Sequence, residues 1–394
     1  MFGAAIKNSH LSCKNPKFLI FILPTLVNVR TRAIILFMLV LSFGATAQPD
    51  NTRSPDTLDT KLYTYAKKTP DEVAQDIDKL VDYLKQPAAT QRETVKSFAY
   101  WIMQNISYDV SGFFNGTFNN DGIAGTLRDK KGVCQDYAEL FKAMCDRAGI
   151  PCYIISGFAK AFNYKPGDKF TKSNHSWNMI YLDGSYTLLD LTWSSGYIQY
   201  VDDGWRYFIH PDITQCFTRP EEFVERHLPS DPKWQLLHYP VSMDAFLKYD
   251  DHSLMLKDSS RFFNYADSLG NFFKLAREEQ ELKSAEDAYH FYPVMSDYAY
   301  HYYNLAVTCS NAATDAYNAA VTGYNKSVAQ GGAPAANGDY NKDGVQKAID
   351  NYAKAVKLLS KISGFADDQI NAGYLLQKCN MGLDASTELM KTLK

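Results

Sequence analysis

Asp183-Gly184 lies between two apolar-rich runs, residues 177–182 and 185–191, and a two-residue Asp-Gly loop in that setting specifies a β-hairpin. Pairing Leu182 with Ser185 places Asp190 opposite Trp177 and His175 opposite Thr192. His175 and Trp177 then share one face of their strand, and Asp190 projects on the same side as a diagonal neighbour of His175. A slip of one residue would put the carboxylate and the imidazole on opposite faces, so the geometry rests on this register.

Upstream, Gly132-Val133 precedes Cys134. Tyr137, Leu140, Phe141, Met144 and Ala148 follow at helical spacing until Gly149 and Pro151 end the pattern. Cys134 therefore opens a helix and stands on its buried face. A lone cysteine at a helix start is more often a small core residue, but a thiol, an imidazole and a carboxylate in this order suit a nucleophile. Unpaired backbone N–H groups and the positive end of the helix dipole favour the thiolate, the form that attacks. His175 would pair with it and move the proton, and Asp190 would hold the imidazole tautomer. The Cys134 N–H is the natural oxyanion donor. Tyr108, Gln135, Trp177 and Trp193 are placed at the substrate cleft, although packing around the three groups is the simplest use of the two tryptophans.

The blocks Gly132-Val133-Cys134-Gln135-Asp136-Tyr137-Ala138, His175-Ser176-Trp177-Asn178 and Asp190-Leu191-Thr192-Trp193 resemble the three signature blocks of the transglutaminase-like superfamily. The resemblance covers roughly residues 70–240. It extends to Trp205-Arg206-Tyr207-Phe208, His227-Leu228-Pro229 and Asp231-Pro232-Lys233-Trp234, as in kyphoscoliosis-peptidase-like members. It implies an α+β, papain-like core with an antiparallel sheet and a Cys134-His175-Asp190 triad. The superfamily holds crosslinkers, peptidases, amidases and inactive relatives, so the fold does not fix the reaction.

The remainder of the chain frames this core. Residues 33–43 are apolar, follow Arg30 and Arg32, and precede Ala45-Thr46-Ala47, the pattern of a signal peptide over 1–47; a kinked membrane anchor is the alternative. Cleavage would remove five basic residues (Lys7, Lys14, Lys17, Arg30 and Arg32) and no acidic one, moving the formal charge from −3 to −8. So acidic a chain, without a basic stripe, is a poor ligand for nucleic acid or anionic membranes. Seven cysteines in 394 residues form no zinc spacing, and a disulfide framework is not expected in so large a chain. Residues 48–69 read as a linker, 70–240 as the catalytic domain and 241–394 as an all-α accessory domain. Within 70–240, helices are expected from Pro70 through Leu84 and over 91–105, and a long loop over 108–131. His210, His227 and His238 read as surface or hydrogen-bonded loop histidines. Asp339, Asn341, Asp343 and Asp350 match part of a calcium loop, with a solvated turn as the alternative; no other cofactor is implied.

These readings converge on a periplasmic or secreted cysteine enzyme, or one anchored by its N-terminal segment. It would act on an amide or peptide bond through a Cys134 thioester, with hydrolysis favoured over acyl transfer because nothing marks an amine-acceptor site. Its expected partners are protein, peptide or peptidoglycan-peptide substrates. The alternative is a catalytically silent binding or scaffold module of the cell envelope.

Overall fold

The computed structural model describes residues 58–117, 121–248, 262–329, 342–367 and 370–393. The segment 1–47, Asp339 and Asn341 lie outside them. The chain divides into two compact units, whose described residues fall within 58–298 and 299–393.

In the first unit the strands, in chain order, are β1 Ser107–Tyr108, β2 Lys131–Gly132, β3 Cys152–Ala159, β4 His175–Leu182, β5 Ser185–Leu189, β6 Gly196–Val201, β7 Gly204–Ile209, β8 Cys216–Thr218 and β9 His227–Pro229. The main sheet has the order β8-β5-β4-β3-β9 with every pair antiparallel. β6 and β7 form a separate hairpin, and β1 pairs with β2 in parallel. Together with its helices this makes the fold α+β.

The hairpin forms in the expected register, with Leu182 opposite Ser185 and Asn178 opposite Leu189. Asp183 and Gly184 both take positive φ, 53° and 82°, the primed turn whose twist matches the strands. The second strand stops sooner than expected. It ends at Leu189, and Asp190 caps a short helix, Leu191–Ser195, because its carboxylate captures the first free backbone donors there.

The Cys134–Arg147 helix packs against β3 and β4. Asn178 on β4 donates from Nδ2 to the Ala138 carbonyl at 3.0 Å, and the Tyr137 hydroxyl donates to the Ile106 carbonyl at 2.7 Å. These bonds fix the start of the helix against the sheet.

The Gln91–Asn105 helix has its expected bounds but is buried on more than one face: Tyr100, Trp101 and Met103 are enclosed as fully as Phe98 and Ile102. The covering element is the helix Thr60–Lys67, which occupies part of the expected linker 48–69 and buries Leu62 and Ala66. The helix expected from Pro70 is broken into Asp71–Ala74 and Ile77–Lys85, because the Asp76 side chain caps the second piece through Asp78 N and Lys79 N. The expected loop 108–131 contains two helices, Val110–Asn115 and Gly122–Asp129; Asp109 caps the first and Gly116, at φ 66°, ends it.

The first unit also runs past the expected boundary at 240. Trp234 packs with Tyr265, Leu269 and Phe272, and Phe158 and Leu228 pack with Phe246 and Val294, so residues up to Tyr298 share its core.

In the second unit, Lys342–Ser360 packs on Ala372–Thr392. A Cβ at Gly382 would lie 2.4 Å from the Tyr352 ring, so glycine allows the close approach. Asp343 and Asp350 both belong to the Lys342–Ser360 helix, which separates them by about 10 Å along its axis. Residues placed this way do not wrap a calcium ion, so the parts of the expected calcium loop that are described do not fit one.

Phe141, fully buried beneath the sheet, tests this core. Phe141→Ala is expected to cost about 3–5 kcal/mol, against about 1–2 kcal/mol for Gly184→Val, whose penalty is local backbone strain. Urea unfolding of both variants checks the difference.

Candidate active site

Cys134 is the first residue of its helix, and the backbone N–H of Val133 donates to Asp136 Oδ2 at 2.8 Å. That reach-back sets the first turn. Gly132 has to be small, since a Cβ there would lie 2.5 Å from the Asp136 Cβ. Cys134 is a half-buried free thiol, close enough to His175 to favour the charged imidazole.

His175, the first residue of β4, is buried and meets Asp190 Oδ2 through Nε2 at 2.7 Å. The two Asp190 oxygens have separate work. Oδ1 accepts the Thr192 and Trp193 backbone N–H groups at 2.8 and 3.1 Å, while Oδ2 faces His175 and, at 2.9 Å, His227 Nε2. His175 thus meets the Asp190 carboxylate directly, and Cys134 lies close enough to act on the same imidazole.

Burial opposes charge on His175, but the Asp190 carboxylate and the Cys134 sulfur outweigh it and push the imidazole up to about 10. Burial would also raise Asp190, yet the imidazoles of His175 and His227 hold it well below the usual carboxylate range. His227 goes the other way: burial keeps it below its ordinary value despite Asp190. At neutral pH the arrangement is therefore an imidazolium, a carboxylate and a neutral imidazole.

Of the residues expected at the cleft, Tyr108 is nearby on β1. Burial, then the charges of Cys134 and Asp190, push its phenol well up, so it stays a protonated donor. Gln135 is exposed and donates to Glu139 Oε1 at 2.8 Å. Trp177 is only 1% exposed, with its ring 5.8 Å from that of His175, so it supports the imidazole from inside rather than walling a cleft. Trp193 is half-buried and lies 5.7 Å from the His175 ring.

The sequence suggests a surface or hydrogen-bonded loop histidine at 227; the residue is hydrogen-bonded, but it is buried and lies on a strand. It is buried on β9, opposite Ala159 of β3, and bonded to Asp190. The available signal was its place in the His227-Leu228-Pro229 block; nothing in its local spacing pointed to a residue 37 positions earlier. Ligand atoms of His175, Asp190 and His227 all lie within 4.8 Å of one another, a spacing that could hold a metal ion, although here the carboxylate already bridges the two rings by hydrogen bonds.

Residues 78–191 match the family model of the transglutaminase-like superfamily. This part of the chain is a transglutaminase-like domain. The transglutaminase-like domain and its surroundings are 33% identical over 187 residues to the human kyphoscoliosis peptidase, covering 47% of this chain and 28% of that protein. The Lim and transglutaminase domain protein ltd-1 of Caenorhabditis elegans is 32% identical over 187 residues, covering 44% and 25% respectively. Hillarin of Drosophila melanogaster is 29% identical over 180 residues, covering 42% and 21%. The chain thus spans about a quarter of the length of these curated relatives. A solved structure of a TGase aligns at 12% identity and a TM-score of 0.24, over 36% of this chain and 35% of that one.

The ion pair sets a pH signature. Because the His175 value is raised, its stabilisation is complete below about 6.5 and is lost as pH rises through about 10. Because the Asp190 value is depressed, its stabilisation is present above 3.8 and is lost as pH falls through the lower folded value. Asp190→Asn should therefore lose most stability, relative to wild type, between about pH 4 and 6.5, as read by urea unfolding across pH. Its His175 should titrate well below 10 by NMR.

Proposed function

We propose that this chain is an exported cysteine enzyme that cleaves an amide or peptide bond through a Cys134 thioester. The observation that supports the reading is the buried His175 bonded to the Asp190 carboxylate, with the Cys134 thiol at the helix start close enough to favour the charged imidazole. In the first step the thiolate attacks the carbonyl carbon, and the oxyanion is met by the Cys134 N–H at the helix start, with the Tyr108 phenol nearby. The His175 imidazolium gives its proton to the departing amine as the C–N bond breaks, leaving a thioester and a neutral imidazole. In the second step His175 takes a proton from water as the water oxygen attacks the thioester. The tetrahedral intermediate collapses, releases the carboxylic acid and restores the thiolate–imidazolium pair.

Hydrolysis is preferred to transfer on two grounds. Among the described residues nothing marks a place for an acceptor amine, and the human relative is a peptidase by name. Export rests on the signal-like pattern of residues 1–47. Among the described residues no helix is long and apolar enough to cross a membrane. The expected substrates are proteins, peptides or the peptide part of peptidoglycan.

Wild type and Cys134→Ala incubated with envelope proteins and peptidoglycan peptides should differ in new carboxyl termini, with turnover lower in the variant by about 10³-fold or more. Mass spectrometry reads the products; amine-linked adducts in place of new termini would reassign the reaction to transfer. Iodoacetamide should label Cys134 ahead of the other five described cysteines at neutral pH and lose that preference in His175→Ala. A silent binding module would show no preference.

A further inference from the structure

His227 has no part in the two steps above, yet it occupies a position that needs explaining. Its pocket is aromatic: ring centroids of Phe223 and Trp193 lie 4.3 Å from its own, and that of Trp177 lies 5.3 Å away. An apolar side chain would fill such a pocket without the cost of burying a polar ring. What an apolar residue would lack is the bond to the Asp190 carboxylate, besides a contact of the ring with the Phe223 backbone.

An ionised carboxylate only accepts, so the ring nitrogens facing Asp190 Oδ2 must both carry protons. His175 and His227 therefore donate to one oxygen, at 2.7 and 2.9 Å. The second bond does two things. It holds the carboxylate in the rotamer that faces His175, and it draws electron density from the oxygen that binds the His175 proton. We propose that His227 is a positioning residue: by sharing Asp190 Oδ2 it fixes the carboxylate and limits how tightly Asp190 holds the proton of His175. This inference rests on the reading of Cys134, His175 and Asp190 as the reacting set.

Charged and titratable groups lie on each of the surrounding elements. They include His175 and Tyr181 on β4, Cys152 and Tyr153 on β3 with Lys160 just after it, Tyr186 on β5 with Asp190 just after it, Glu221 and Glu222 on the helix Pro220–Phe223, and Glu225 and Arg226, whose guanidinium lies 5.8 Å from the Trp193 ring centroid. Of these, Asp190 alone has a side-chain hydrogen bond to the His227 ring among those resolved.

The test uses His227→Phe, which keeps an aromatic ring and removes the donor, and His227→Gln, whose amide can still donate. With p-nitrophenyl acetate as probe, His227→Phe should lower the deacylation kcat by about tenfold with KM unchanged, since a His175 that binds its proton more tightly is less often free to act as base. The pH at which deacylation becomes half-maximal should move upward in the same variant. His227→Gln should restore both to within about threefold of wild type. Unchanged kcat and pH dependence in a folded His227→Phe, or a Gln variant behaving like Phe, would overturn the proposal. Should His227→Phe fail to fold, ¹⁵N NMR of wild type decides: a neutral His227 protonated at Nε2 is expected, and protonation at Nδ1 alone overturns the role. Absence of selective iodoacetamide labelling of wild-type Cys134 overturns the underlying reading as well. That outcome is distinct from normal labelling with an inert His227.

Discussion

The Asp190 carboxylate is the charge around which the first unit's candidate site is arranged. A buried carboxylate is tolerable only with its lone pairs occupied, and here four donors from three elements supply that need. Two come from the backbone of the helix it caps, one from β4 and one from β9. Each partner is thereby tied to the others. The hairpin places His175, the cap turns the chain after β5, and the edge strand β9 is held to the sheet by its histidine as well as by its ladder. The Cys134 helix docks on the same sheet through Asn178, so the thiol inherits its position from that frame.

Much of this was legible because it depends on local rules. The Asp183-Gly184 turn fixed the register, and the register fixed which face His175 presents. The spacing of Tyr137, Leu140, Phe141 and Met144 located the Cys134 helix from its first residue to within one residue of its last. The 91–105 helix was found with both ends because Thr90 caps it and Ile106 turns extended. Asp190 shows how two local readings can both apply to one residue. It is a helix-capping carboxylate and also the partner of His175, since its two oxygens point to different donors.

What was missed depends on distance along the chain. Whether residues 60–67 form a linker or a covering helix is decided by the far face of the 91–105 helix, where Tyr100 accepts a bond from the backbone of Asp59. The helices in 108–131 are short and glycine-bearing, and a single side-chain cap at Asp109 tips the first of them. The end of the first unit was misplaced because Phe246, Tyr265 and Val294 look like helix-core residues of any domain, and only the sheet they cover assigns them to this one.

Gly157 carries a consequence for how the molecule is made. A Cβ there would lie 2.3 Å from the Leu228 carbonyl and 2.6 Å from the Trp177 ring, so β9 closes directly over β4's tryptophan at a point where β3 presents no side chain. Until residues 227–229 have been synthesised and laid against β3, Asp190 lacks one of its four donors and Trp177 lacks its cover. Before that pairing, water rather than His227 satisfies Asp190 Oδ2, and the tryptophan face stays open. The edge strand thus joins Ala159 to His227, a long-range pairing that completes the site only when distant parts of the chain meet.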